Sequence, residues 1–260
     1  TANGCNGSSI QVTITVNPKP SINSITNAVC SGENFTFTPT SGIIPVGTTY
    51  TWSNPVINPS GTITGGTAQL TAQSSINQTL TNTTNATAIA TYTITPTSGN
   101  CPGNSFSLTI TVNPKPSINQ INQTICSGNN FTITPINITN GIVPANTTYS
   151  WSAPTISGNL SGGAAGTNAS NINGTLTNTS NVAQTATYTV TATAPGSTTC
   201  TSTFTITVTV NPIPSVNAVA NRAAVCSGTS QGAINFTSNP AGATFDWTST
   251  ADVGFGTSGT

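Results

Sequence analysis

Histidine and methionine are missing from this 260-residue chain, and charge nearly is: three Lys/Arg and three Asp/Glu, 2% of the sequence, against about 25% in ordinary domains. The six are Lys19, Lys115, Arg222, Glu33, Asp246 and Asp252. Nucleic-acid binding needs clustered cations, so no nucleic-acid partner is expected. The same shortage argues against anionic membrane surfaces. No apolar run is long enough to span a bilayer, so no direct membrane insertion is expected. Catalysis needs a nucleophile beside a base, or paired carboxylates. With no histidine, and with Glu33 far in sequence from Asp246 and Asp252, no enzyme activity, catalytic residue or cofactor is expected. The six cysteines contain no Cys-x-x-Cys pair, so no metal site is expected either. Thr, Ser and Asn side chains must carry solubility.

What is present is repetition. Val-Asn-Pro-Lys-Pro-Ser-Ile-Asn at residues 16–23 returns at residues 112–119, and as Val-Asn-Pro-Ile-Pro-Ser-Val-Asn at residues 210–217. A Cys-Ser-Gly follows each copy, at Cys30, Cys126 and Cys226. An aromatic-x-Trp comes next, as Tyr50/Trp52, Tyr149/Trp151 and Phe245/Trp247. A period of about 96–98 residues is one small domain per repeat. The frame gives residues 1–17 as the last strand of a preceding repeat, 18–113 and 114–211 as complete repeats, and 212–260 as the first half of a further one. The expectation is a segment of a longer array.

Thr, Asn and Gly without charge can also signal disorder, but the apolar residues are too strictly patterned. Residues 10–16, 106–112 and 204–210 alternate apolar with Thr, Ser or Gln without error. Each reads as a strand with one buried face, stopped at Asn-Pro because proline lacks an N–H and restricts its predecessor. Pro-x-Pro then makes a short stiff linker. In the first full repeat, strand A is expected at residues 21–25, B at 34–38, C at 49–53, weaker strands at 61–70 and 76–82, F at 88–95 and G at 106–112. Trp52, Trp151 and Trp247, with Tyr50, Tyr149, Tyr92 and Tyr188, are expected in the core. The hydroxyls of Tyr92 and Tyr188 would reach backbone acceptors. Sugar stacking on the tryptophans is the rival reading. No helix signal occurs. The fold class is all-β, with tandem immunoglobulin-like sandwiches in an extended array.

Val-Asn-Pro-x-Pro, Cys-Ser-Gly, aromatic-x-Trp, Ala-Thr-Tyr-Thr-(Ile/Val), and a cysteine before the Thr-alternating strand together resemble the PKD-like repeats of Bacteroidota. The resemblance covers the whole chain. It implies tandem domains in very large surface adhesins, of the gliding-motility type exported by type 9 secretion. The acidic residues that often follow the strand-C tryptophan in the wider PKD family are absent: Trp52, Trp151 and Trp247 precede Ser53, Ser152 and Thr248. No calcium site is carried over.

Each full repeat holds one cysteine before strand B and one at the F–G turn. Structural disulfides in an oxidising compartment follow. Pairing within a repeat, Cys30–Cys101 and Cys126–Cys200, is the simplest count. Against it, a strand of about eight residues separates those two ends by roughly 26 Å, whereas bonded cysteines have Cα atoms about 4.4–6.8 Å apart. The start of strand B faces the next domain, which presents its F–G turn to the junction, so Cys30–Cys200 across that junction is the sharper expectation. Cys5, Cys101, Cys126 and Cys226 would then pair outside the segment.

The expected function is structural: an extracellular stalk or filament segment of a bacterial surface adhesin, giving reach and stiffness. Its partners would be neighbouring repeats, other copies in a fibre, and a surface, glycan or protein ligand. The alternative is a carbohydrate- or protein-binding accessory module of a secreted multidomain enzyme.

Overall fold

The computed structural model describes residues 3–4, 8–196, 200–248 and 258–259. The chain divides into two units, Thr1–Lys115 with Gly196–Cys200, and Pro116–Pro195 with Thr201–Thr260. Each is built on one sandwich.

In the first unit the main strands are β1 (Ile25–Cys30), β2 (Asn34–Phe37), β3 (Thr49–Trp52), β4 (Gln69–Gln73), β5 (Ile76–Thr79), β6 (Ala88–Ser98) and β7 (Phe106–Asn113). One sheet runs β1-β7-β6-β3-β4. β1 lies parallel to β7, and the other pairs are antiparallel. β2 pairs with β5 on the opposite face. The alternation in β7 is the reason it sits centrally: Phe106, Leu108, Ile110 and Val112 are buried, while the residues between them are only half-buried. The core closes with Phe35, Ile63, Ile76 and Leu80 against Tyr50, Trp52, Tyr92 and Ile94.

The second unit repeats this plan with β8 (Ile121–Cys126), β9 (Asn130–Ile133), β10 (Thr148–Trp151), β11 (Leu160–Gly162), β12 (Gly166–Ala169), β13 (Ile172–Asn178), β14 (Gln184–Thr193) and β15 (Thr201–Asn211). The sheet order is β8-β15-β14-β10-β12, facing β9-β13-β11, and β8 is again parallel to β15. On the outer face of the β14–β15 ladder, Thr pairs with Thr at Thr185/Thr209, Thr187/Thr207, Thr189/Thr205 and Thr191/Thr203.

Three expectations need correction. The first strand does not form at residues 21–25. Ser21 makes a single isolated bridge to Ile43, and the chain joins the main sheet only from Ile25, as β1. The bridge requires glycine nearby: Gly42 has φ +108°, and a Cβ there would overlap the Ser21 carbonyl oxygen. Gly141 does the same against Ser117. Residues 10–16 form no strand, and Ile10, Val12, Ile14 and Val16 are 75–87% exposed, because no described strand pairs with them. Trp247 is half-buried rather than a core residue. Among the described residues its strand pairs only as Trp247–Thr248 with Ser258–Gly259, a two-stranded sheet too small to enclose the ring.

Trp52 and Trp151 are buried, as are Tyr50, Tyr149, Tyr92 and Tyr188. Desolvation of the phenolate pushes Tyr92, Tyr149 and Tyr188 up from 10.0 to about 12, and Tyr50 upward as well. Above pH 10 the unfolded chain loses phenolic protons that the folded chain keeps. The stabilisation is therefore complete below pH 10 and lost as pH rises toward about 12. Tyrosinate absorbance should stay near zero at a pH midway through that window and rise together with loss of β-sheet circular dichroism. Ionisation of free-tyrosine type near pH 10 with the fold intact would contradict the burial.

Candidate functional site: the Cys-Ser-Gly corner

Each sandwich must turn its chain from one sheet to the other between β1 and β2, and between β8 and β9. Cys-Ser-Gly makes that turn. Gly32 and Gly128 both sit at φ +82°, in the left-handed region that glycine adopts without strain. Backbone groups of the turn are fully placed. Ser31 N–H donates to Asn113 O at 2.9 Å, Gly32 N–H to Leu80 O at 2.8 Å, and Glu33 N–H to Cys30 O at 3.1 Å. Ser127, Gly128 and Asn129 make the same three bonds to Asn211, Leu176 and Cys126.

A buried amide completes the corner. Asn82 Nδ2 donates to Ala86 O at 2.7 Å and to Val112 O at 3.0 Å. Its Oδ1 accepts from Thr84 N–H at 2.9 Å and Thr84 Oγ1 at 2.8 Å. Ser31 Oγ accepts from Asn82 N–H at 2.9 Å and donates to Asn82 O at 3.2 Å. Asn82 thus ties the turn after residue 82 to the last rung of β7 through its side chain, and to the corner through its backbone bonds with Ser31 Oγ. The second repeat reproduces it with Asn178, Ser127, Ser180, Val182 and Val210. Both donors and the acceptor oxygen of each amide are used, as burial demands. Sequence reasoning found Cys-Ser-Gly but missed Asn82 and Asn178. Their signal was Leu-Thr-Asn-Thr-(Thr/Ser)-Asn, recurring at residues 80–85 and 176–181.

The corner also carries the cysteines. Cys30, the buried last residue of β1, is joined to Cys200, the buried residue preceding β15, in a disulfide. Their Cα atoms are 5.4 Å apart, within bridging range. The within-repeat alternatives, Cys30–Cys101 and Cys126–Cys200, are not formed. Cys101 is a half-buried free thiol, and Cys126 and Cys226 are exposed free thiols. Cys5 lies outside the described residues. Among the described residues no group of three His, Cys, Asp or Glu gathers.

The aromatic positions are packing positions. Trp52 and Trp151 donate their indole N–H to Thr67 O and Ala164 O, each at 3.0 Å. Phe35 packs on Tyr92 with ring centroids 6.2 Å apart, and Phe131 on Tyr188 at 5.6 Å. The hydroxyls of Tyr92 and Tyr188 are buried without a partner. The expected backbone bonds are not made, because the rings direct each hydroxyl toward a glycine α-carbon, Gly66 or Gly163.

Two sandwiches whose first strand runs parallel to the last, with a tryptophan on the third strand, define tandem immunoglobulin-like β-repeats. The PKD-like domain profile matches residues 27–116 and again residues 123–214, and the chain belongs to that family. No curated protein matches by sequence. Solved structures with a similar chain course include the N-terminal four Ig domains of Dscam1 isoform 7.44, at TM-score 0.30 and 15% identity over 77% of this chain and 47% of that one. Human mucin-like protocadherin EC1-2 gives 0.29 and 14%, over 75% and 98%. The endo-fucoidan hydrolase MfFcnA4 from glycoside hydrolase family 107 gives 0.29 and 13%, over 76% of this chain and only 30% of the hydrolase. Tandem PKD-like domains with a disulfide mark an extracellular module of adhesive or structural kind.

Replacing Asn82 by alanine leaves Ala86 O, Val112 O and the Thr84 N–H without their partner. The expected loss is about 2–4 kcal/mol in urea unfolding. Thr81→Ala, at an exposed neighbour, should stay within about 0.5 kcal/mol.

Proposed function

We propose that this chain is a structural segment of a long extracellular stalk or filament, and that it supplies reach and stiffness to a bacterial cell-surface adhesin. The observation that carries the reading is the Cys30–Cys200 disulfide. Consecutive repeats are joined once by the peptide chain through Pro114-Lys115-Pro116. The disulfide is a second covalent tie, from the corner of the first repeat to the start of the last strand of the second. Two ties restrict bending more than the Pro-x-Pro linker does alone. The near-absence of charge fits a module whose work is mechanical and non-catalytic. The Bacteroidota gliding-motility type, with type 9 secretion, is the particular adhesin class that the repeat signature favours.

The same logic gives the other thiols their roles. Cys126 is the counterpart of Cys30 one repeat later. It would take the cysteine before the last strand of the repeat that follows. Cys101 is the counterpart of Cys200 and would take a corner cysteine of the repeat before. Cys5 and Cys226 extend the series.

Non-reducing peptide mapping should return a Cys30–Cys200 peptide. Fluorophores placed one per repeat should show a single narrow distance distribution, which broadens on adding reductant while both sandwiches keep their circular dichroism. A distribution unchanged by reductant would contradict the stiffening role.

A further inference from the structure

The two repeats share one fold but differ at one edge. Strand register fixes the equivalences. Trp52 faces Gln69 where Trp151 faces Gly166, Tyr50 faces Gln73 where Tyr149 faces Ala169, and Phe35 faces Gln78 where Phe131 faces Gly174. Three glutamines of the first repeat are thus glycine, alanine and glycine in the second. Thr67, whose carbonyl receives the Trp52 indole, becomes Ala164. In the first repeat Gln78 Oε1 fills this edge, accepting from Thr67 N–H at 3.0 Å and Thr67 Oγ1 at 3.3 Å. In the second repeat Gly174 stands at its position, and among the described residues no side chain replaces the glutamine. An open cleft of about 480 Å³ remains, lined by Trp151, Ala164, Gly166, Thr167, Asn173 and Gly174.

Beneath the cleft lies an unpartnered polar atom, the fully buried Tyr188 hydroxyl. A Cβ on Gly163 would come within 2.6 Å of it, and one on Gly174 within 3.6 Å. Both glycines line the cleft, so only their backbone separates that hydroxyl from it.

We propose that this cleft of the second repeat binds one sugar unit of a neutral polysaccharide. The size falls in the range of about 300–1,000 Å³ of small-ligand sites. The lining carries no charged side chain, which excludes ionic ligands held by salt bridges. A hexose has an apolar C–H face and a hydroxyl rim. The Gly166 and Gly174 α-carbons and the Ala165 and Ala169 side chains offer the apolar surface, above a Trp151 ring that Gly166 largely covers. Asn173, Thr167 and the Ala164 N–H, which has lost the glutamine acceptor, offer donors and acceptors around it. The proposal is independent of the stalk reading, since a stiff segment can carry or lack such a cleft.

The test uses the whole chain, titrated with neutral glucose, mannose and galactose hexamers in α- and β-linkage, while following the indole N–H resonance of Trp151. The filling variant is Ala164→Thr with Gly174→Gln, which rebuilds the Thr67–Gln78 pair of the first repeat. The backbone of Gly174 is not left-handed, and Gln78 is already accommodated over Phe35 in the same register. A Cβ on Gly174 comes within 3.2 Å of the Phe131 ring, which must give slightly, so the filled chain should fold with a melting temperature lowered by at most a few degrees. Gln78→Gly serves as the opposite change, opening the first repeat. At least one hexamer should shift the Trp151 resonance. Filling should weaken that binding at least tenfold, and Gln78→Gly should bring the Trp52 resonance into the response. The proposal is overturned if no hexamer shifts Trp151, if the filled chain binds as well as the parent, or if the cleft answers only to an extended peptide pairing along β12.

Discussion

The fold depends on a buried amide. A sandwich whose first strand is parallel to its last must carry the chain over the top of the core between β1 and β2. Every backbone group released by that crossing needs a partner, because burial without one costs about as much as a lost hydrogen bond. Main-chain bonds of Ser31 and Gly32, and of Ser127 and Gly128, meet that demand at the corner; the side chains of Asn82 and Asn178 meet it at the adjoining turn, and their own backbones are held by Ser31 Oγ and Ser127 Oγ. The two networks keep the same bonds although the turns beyond them differ, Thr84 and Ala86 in one and Ser180 and Val182 in the other. Cys30 stands directly before this corner, so the disulfide is anchored on a rigid element rather than on a loose loop.

Much of this was legible in the chain. The strict alternation of residues 106–112 and 204–210 marks the central strands β7 and β15, because a one-residue slip there would turn every apolar side chain to water. Tryptophan on the third strand marks the core. Other features were hidden for physical reasons. β1 reads poorly because it is an edge strand of Ile-Thr-Asn-Ala-Val-Cys, whose three middle residues are exposed rather than alternating. Residues 10–16 show the converse: flawless alternation makes a strand only when a partner ladder is present.

At the candidate sites the limit was different. Asn82 and Asn178 are single asparagines in a chain full of them, so composition hides them. The recurrence of their neighbours in both repeats is what distinguishes them. Position-by-position comparison of the repeats also exposes the cleft, since Gln78 and Gly174 have nothing unusual about them until strand register aligns them. Divergence at one edge beside an invariant corner is the pattern of a scaffold that keeps its frame and varies what it presents.

The central claim is that consecutive repeats are held by a bond outside the peptide chain. Stretching single molecules by their ends tests it most directly. With Cys30 bonded to Cys200, the 170-residue separation between them is shielded from force. At about 3.5 Å per residue, that withholds roughly 600 Å of contour length. The account predicts that reductant releases this length in the unfolding record of each molecule. Equal contour lengths before and after reduction would contradict it.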